Sequence, residues 1–331
     1  MNSQKRQPEV ETTERSLASE RYRWSPIRPS RSLAVRLALA SGLVITAILT
    51  NRSFLGWGLF VLFAILVVPI GRARSFAISF VPYAAVWFAF TAMRSLADET
   101  ALADSLSSVV GNFERRLFGG RLPSIMLQDR FYDRNHLHWY DYLCTFVHWS
   151  YFVIPHAVAI RTWYKDPMLF RRYLASMTMV LAIGLALYFM IPSRPPWNLP
   201  EELSSPSQPV VQRIMAKVGK QLGGGLYQAT YDVIGESNPW AAMPSIHMAI
   251  TVLLVFPAFR AGRRWGYLAL AYAALMGYSL VYLGEHYVVD VTIGTVISTY
   301  SWYAVGTWSR RVAPLVRPVR RRPPEHSLAD A

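Results

Sequence analysis

Apolar residues in this chain are gathered into runs long enough to cross a bilayer, and that constrains the fold more than any other feature. The runs cover about 33–50, 54–70, 76–93, 139–160, 173–192, 244–259, 265–284 and 286–306. A helical span needs roughly 20 such residues. Inside lipid every backbone amide must be paired within the protein, which leaves helices or closed barrels. Runs of this length are helical, so the predicted fold is all-α: a polytopic membrane helix bundle of about eight spans with a core of five or six. The sixth run is short, and the seventh and eighth touch at Gly284. Composition agrees, with 53% hydrophobic residues against 16% charged ones. The lone Cys144 excludes an intramolecular disulfide and a cysteine zinc site. No cofactor is expected.

Charge sets the expected topology. Arg72 and Arg74 follow the second run. Arg161, Lys165, Arg171 and Arg172 follow the fourth, and Arg260, Arg263 and Arg264 follow the sixth. Arg310, Arg311, Arg317, Arg320, Arg321 and Arg322 follow the eighth. Short cytoplasmic loops accumulate Lys and Arg, so these loops and both termini read as cytoplasmic. The two long polar segments fall on the other side and are balanced. Residues 94–138 hold six Arg and six acidic groups, and residues 193–243 hold four of each sign. The net charge of +14 is thus a topology signal and a contact for anionic lipid, not a nucleic-acid footprint. The predicted organisation is a basic tail (1–32), N-terminal spans (33–93), an extracytoplasmic interfacial segment (94–137), a membrane domain (138–306) and a second basic tail (307–331).

With eight spans, two histidine-bearing helix mouths open on the same extracytoplasmic side. "NPWAAMPSIHMAI" (238–250) places His247 at the start of the sixth run, and "YLGEHYVVD" (282–290) places His286 and Asp290 at the start of the eighth. The end of the fifth run, "MIPSRPPWN", brings Arg194 to that side. His286 and Asp290 are four apart and are expected to share a helix face. A carboxylate on one ring nitrogen fixes the imidazole tautomer and leaves the other nitrogen as nucleophile. His247 suits the general acid for a leaving alkoxide. Pro244 is expected in a first helical turn, with Ser245 as a hydroxyl donor and Arg194 as a bidentate phosphate clamp. Phosphoryl transfer needs mainly positioning and charge stabilisation, so no metal is required. Competing readings are interfacial histidines, a snorkelling Arg194, and a two-histidine-one-carboxylate metal site.

"PSIH" (244–247) and "HYVVD" (286–290) resemble the second and third signature motifs of the type 2 phosphatidic acid phosphatase superfamily, and "SRPP" (193–196) resembles the end of the first. The wording is nearest the branch that includes inositol phosphorylceramide synthase and many bacterial membrane homologues. The resemblance covers about residues 138–306. It implies catalytic His286, His247 and Asp290, a lipid phosphate substrate and a lipid or polyol acceptor, in a bacterial plasma membrane. Leu187 and Leu280 stand where the family carries a Lys and an Arg, a departure that fits the synthase-like branch.

The expected function is therefore lipid phosphotransfer through a phosphohistidine. The alternatives are a lipid or polyprenyl phosphate phosphatase and, in another class, a transporter or scaffold. Asp141 and His148, seven apart in "HWYDYLCTFVHWS", are expected on one helix face as headgroup ligands. His156 reads as structural. The 94–138 segment, with "NFERRLFGG" (112–120), reads as an amphipathic lid on the membrane surface, and 223–238 as a flexible loop. Arg213, Lys217 and Lys220 read as solvated charges, with replacement of the phosphate cations absent at Leu187 and Leu280 as the alternative.

Overall fold

In the computed structural model, residues 73–96, 106, 108–199, 210–223 and 242–312 are described. The first two predicted spans, the N-terminal tail, residues 313–331 and the 224–241 stretch lie outside the described residues. Within these bounds there are ten α-helices and no strand: α1 (Ala73–Leu96), α2 (Val109–Leu117), α3 (Pro123–Phe131), α4 (Trp139–Ser150), α5 (Ile154–Lys165), α6 (Pro167–Met190), α7 (Ile214–Gln221), α8 (Ile246–Ala261), α9 (Arg263–Tyr282) and α10 (Val288–Val312). Each of the six later apolar runs is helical, and the all-α expectation holds.

Among the described residues, two helices are long and apolar enough to cross a membrane by themselves, the Arg74–Arg94 stretch of α1 and α6. The fourth predicted run is one broken element: α4 and α5 meet at a bend of 44°. Pro155 lies in the first turn of α5, where its missing N–H and its ring interrupt the hydrogen-bond ladder, and Tyr151 to Val153 form the break. Counted as one span, the pair makes a third. The chain is a membrane-spanning protein.

The centre of the bundle is α8. Ile246, Met248 to Val255 and Pro257 are all buried, so the helix is apolar all round, as a helix enclosed by other helices must be. It packs on α5, α6, α9 and α10, and α10 also packs along α6. Around this core α1 lies on α6, and α4 lies on α9. Aliphatic and aromatic side chains such as Ile78, Val81, Met168 and Val296 face outward, as befits a surface in contact with acyl chains. His156 is structural, as expected: its Nδ1 meets the Tyr83 hydroxyl at 2.7 Å in a buried contact between α5 and α1.

The short helices build a cap on one end. α7 packs on α4, α3 on α9, and α2 on the start of α10. The 112–120 stretch is therefore not simply a lid on the membrane surface. Val110, Gly111 and Glu114 are buried against the bundle, while Phe113 and Leu117 remain exposed. An amphipathic pattern looks the same whether its apolar face meets lipid or protein, which is why the sequence pointed to the membrane.

Candidate active site

The turn that carries His286 is set by the end of α9. Gly284 has φ +77°, and a Cβ there would meet Val211 Cγ1 at 2.7 Å and the Gln212 carbonyl oxygen at 3.1 Å. Glycine alone fits that conformation and that contact. The Gly284 N–H donates to the Val281 carbonyl (3.2 Å) and the Glu285 N–H to the Leu280 carbonyl (3.0 Å), the paired bonds of a Schellman ending. The His286 N–H adds a bond to the same Leu280 oxygen at 3.1 Å. His286 is thereby held directly past the end of α9.

His286 and Asp290 do not share a helical face, contrary to expectation, because α10 begins only at Val288. Their meeting has a different cause. The Tyr287 N–H donates to Asp290 Oδ2 at 3.0 Å, a carboxylate in the first turn reaching back to the residue before the helix. The same oxygen lies 3.4 Å from His286 Nδ1, a long contact of the kind that tightens when substrate binds. Asp290 is fully buried, and His286 nearly so.

The second motif is tied to the third through the main chain. Ser245 caps α8, its Oγ accepting the Met248 N–H at 3.2 Å. Pro244 thus precedes the cap and is not in the first turn, since the serine takes the capping position. The Ser245 N–H donates to the Asp290 carbonyl at 3.2 Å. One residue, Asp290, holds His286 with its side chain and the loop before His247 with its backbone. One turn on, Gly294 permits that approach: a Cβ there would sit 2.5 Å from the Ser245 carbonyl oxygen. Gly294→Ala should force the α8 terminus away from α10. It should lower stability by about 1–3 kcal/mol, as overpacking does, and turnover with it. Gly277→Ala, whose Cβ would find only ordinary contacts at 3.4 Å and beyond, is the matched control. Thermal unfolding and rate assays of the two variants check this, and equal behaviour would refute it.

The ring centroids of His247 and His286 are 5.7 Å apart. His148 packs on His247 at 4.5 Å between ring centroids, and Tyr151, carried by the break between α4 and α5, at 4.4 Å. Asp141 is not brought to this cluster with His148. Its carboxylate accepts the His138 N–H at 2.7 Å, capping α4, and also the Tyr282 hydroxyl. The 193–197 segment runs between the two mouths: the Ala242 N–H donates to the Ser193 carbonyl at 3.0 Å, and the Trp197 N–H to the Gly284 carbonyl at 3.2 Å. Arg194 is half-buried in that segment.

Arg213 is not a solvated charge. Its Nε lies 2.9 Å from Glu285 Oε1, next in sequence to His286, and its guanidinium stacks 4.2 Å from the Trp197 ring centroid. The Trp197 Nε1–H donates to Glu285 Oε2 at 3.1 Å. Lys217 reaches the Arg134 carbonyl instead, and Lys220 is exposed. Leu280 is fully buried, and Leu187 packs against the bundle core, so both positions serve packing. Among the described residues no cluster of three or more His, Cys, Asp or Glu side chains is arranged to hold a metal.

Glu114, Tyr151, Trp197 and Glu285 were not singled out by sequence reasoning. The adjacency of Glu285 to His286 was the one available signal; the others depend on tertiary placement.

The family model of the PAP2 superfamily matches residues 112–304, more than half of the chain. A protein of Bacteroides thetaiotaomicron named phosphoinositol dihydroceramide synthase is 23% identical over 241 residues, covering 69% of this chain and 76% of that protein. No solved structure matches.

Proposed function

Because the chain belongs to the PAP2 superfamily, a premise that makes it a membrane lipid phosphatase or phosphotransferase, we propose that it transfers a phospho-headgroup or phosphate from a lipid donor to a lipid or polyol hydroxyl through a phosphohistidine at His286. The observation that carries this reading is the pair of imidazoles 5.7 Å apart with a buried carboxylate behind one of them. His286 offers the nitrogen that does not face Asp290. It bonds to phosphorus while the bond from phosphorus to the leaving oxygen breaks, and His247 gives that oxygen its proton. The acceptor hydroxyl then attacks phosphorus, returns a proton to His247 and releases His286. Asp290 supports the charge that grows on the His286 ring. Arg194 grips phosphate oxygens, and Arg213, fixed by Glu285 and Trp197, supplies a second cation on the same side. Ser245 caps α8 so that its first amides face the site. His148 packs against His247, and Asp141 contributes by capping the helix that carries His148. Transfer is favoured over hydrolysis by the likeness to a protein whose name is that of a synthase.

The deciding experiment incubates purified protein with labelled lipid phosphates and phosphodiesters, with and without hydroxylated lipids, and resolves products by mass. A product that joins donor headgroup to acceptor supports transfer. Free phosphate or free headgroup as the sole product replaces transfer by hydrolysis. No conversion of any lipid favours a transporter or scaffold.

The site is proposed to face outside the cytoplasm in a bacterial plasma membrane. A tag on the C-terminal tail should be protected from impermeant reagents in intact cells, and a cysteine placed in the 193–243 loop should be labelled. The reverse pattern would refute the charge-based orientation.

A further inference from the structure

Glu114 is a carboxylate with no exposed surface, contributed by a short helix outside the bundle. Its Oε2 accepts the Val289 N–H at 2.9 Å, in the first turn of α10. That amide is one of those a helix start leaves unpaired, and a negative charge there is also favoured by the helix dipole. The other oxygen, Oε1, is buried and has no hydrogen-bond partner among the described residues. Burying a carboxylate with one oxygen unbonded is costly.

The neighbouring contacts fix why it is there. Gly111, three residues earlier on α2, lies so close to Tyr287 that a Cβ would meet the phenol oxygen at 2.8 Å. Val110, Leu122, Ile125, Val211, Met243 and Tyr287 form one apolar cluster around this junction. The turn Glu285–Asp290 is therefore gripped at its start by the end of α9, in its middle by Asp290, and at its far end by Glu114.

We propose that Glu114 is a positioning residue for phosphoryl transfer: by holding the first turn of α10 from outside the bundle, it fixes the Asp290 carboxylate against His286 and so sets the orientation of the nucleophile. The proposal rests on the phosphohistidine reading above. Its surroundings are consistent with such a role. Asp290 and Tyr287 face Glu114 from the α10 side, and Arg115 lies on its own helix. Burial pushes the Glu114 carboxyl up to about 7, against the pull of the Val289 and Val288 amides. With the native value above the ordinary 4.5, the folded protein keeps a proton that the unfolded chain releases between about 4.5 and 7. Stability should fall as pH rises through that window, and Glu114→Gln should lack that part of the slope in thermal unfolding.

The test uses the full chain in detergent or lipid nanodiscs, with Glu114→Ala, Glu114→Gln and His286→Ala beside wild type. Glu114→Ala should lower kcat roughly 10- to 100-fold, the range expected when a reacting group is misplaced by about an ångström, with KM changed less than about twofold. Glu114→Gln keeps an acceptor for the Val289 amide and should recover most of kcat. Hydrogen–deuterium exchange over residues 286–291 should speed up in Glu114→Ala and stay near wild type in Glu114→Gln. Unchanged kcat and unchanged exchange in Glu114→Ala overturn the proposal, as does a loss carried by KM alone. If Glu114→Ala does not fold, a 10-fold or greater kcat loss in a folded Glu114→Gln overturns it, because the retained acceptor then rescues nothing. If His286→Ala turns over lipid as fast as wild type, the phosphohistidine reading fails, and the exchange data still report whether Glu114 holds the turn.

Discussion

His286→Ala should abolish lipid turnover and, with it, any acid-labile phosphoprotein trapped by rapid quenching. The expected loss is on the order of 10⁶ in rate, as when the nucleophile of another covalent enzyme is removed. No neighbouring group can replace it in the proposed reaction. His247 lies 5.7 Å away by ring centroid and packs against His148 and Tyr151, whereas Asp290 stands beside His286. The variant should still fold, because His286 is held by its backbone bond to Leu280 and the imidazole itself makes only the long contact with Asp290. Thermal unfolding close to wild type together with undetectable turnover is the expected pair of results. Ordinary lipid conversion by this variant would leave a transporter or scaffold as the better account.

His247→Ala should behave differently. It removes the proton donor for the leaving oxygen, a loss of roughly 10²–10⁴ in rate. A substrate whose leaving group departs without a proton, such as a nitrophenyl ester, should recover much of that loss, whereas His286→Ala recovers nothing with the same ester. Asp290→Asn should fall between them, since the imidazole remains while its orientation and charge support are lost. Asp290 has a second task that the substitution spares, because the bond from the Ser245 N–H goes to its main-chain carbonyl. The asparagine variant therefore reports on the carboxylate alone. Equal losses in all three variants, with no recovery on the nitrophenyl ester, would show the roles to be wrongly assigned.

Helix class and the meeting of the two mouths were legible in the sequence for simple reasons. Apolar runs of bilayer length can only be helices, and His247 and His286 each stand at the start of such a run. What was not legible depends on local caps and on contacts distant in sequence. A spacing of four suggested a shared helix face for His286 and Asp290, but the pair is made by a carboxylate reaching back across a helix start. The same spacing argument joined Asp141 to His148, yet Asp141 sits at the N-terminal end of its helix and serves the cap. The pairing of Arg213 with Glu285 was hidden, since the two are 72 residues apart. Glu114 is 175 residues from the amide it holds, and no periodicity encodes that distance.

The enclosure of α8 has a consequence for how the molecule comes into being. Its neighbours lie on both sides of it in the chain: α5 and α6 are made before it, α9 and α10 after it. A nascent protein that has released α8 into the membrane has a helix apolar on every face and only half of the walls that will surround it. His247 is then already present but has no Asp290 carbonyl to anchor the loop before it. Assembly of the reacting groups must wait until α10 is released, so maturation of the site is a late, all-or-nothing step of biogenesis. A chain stopped after α9 would keep most of its helices and none of its chemistry.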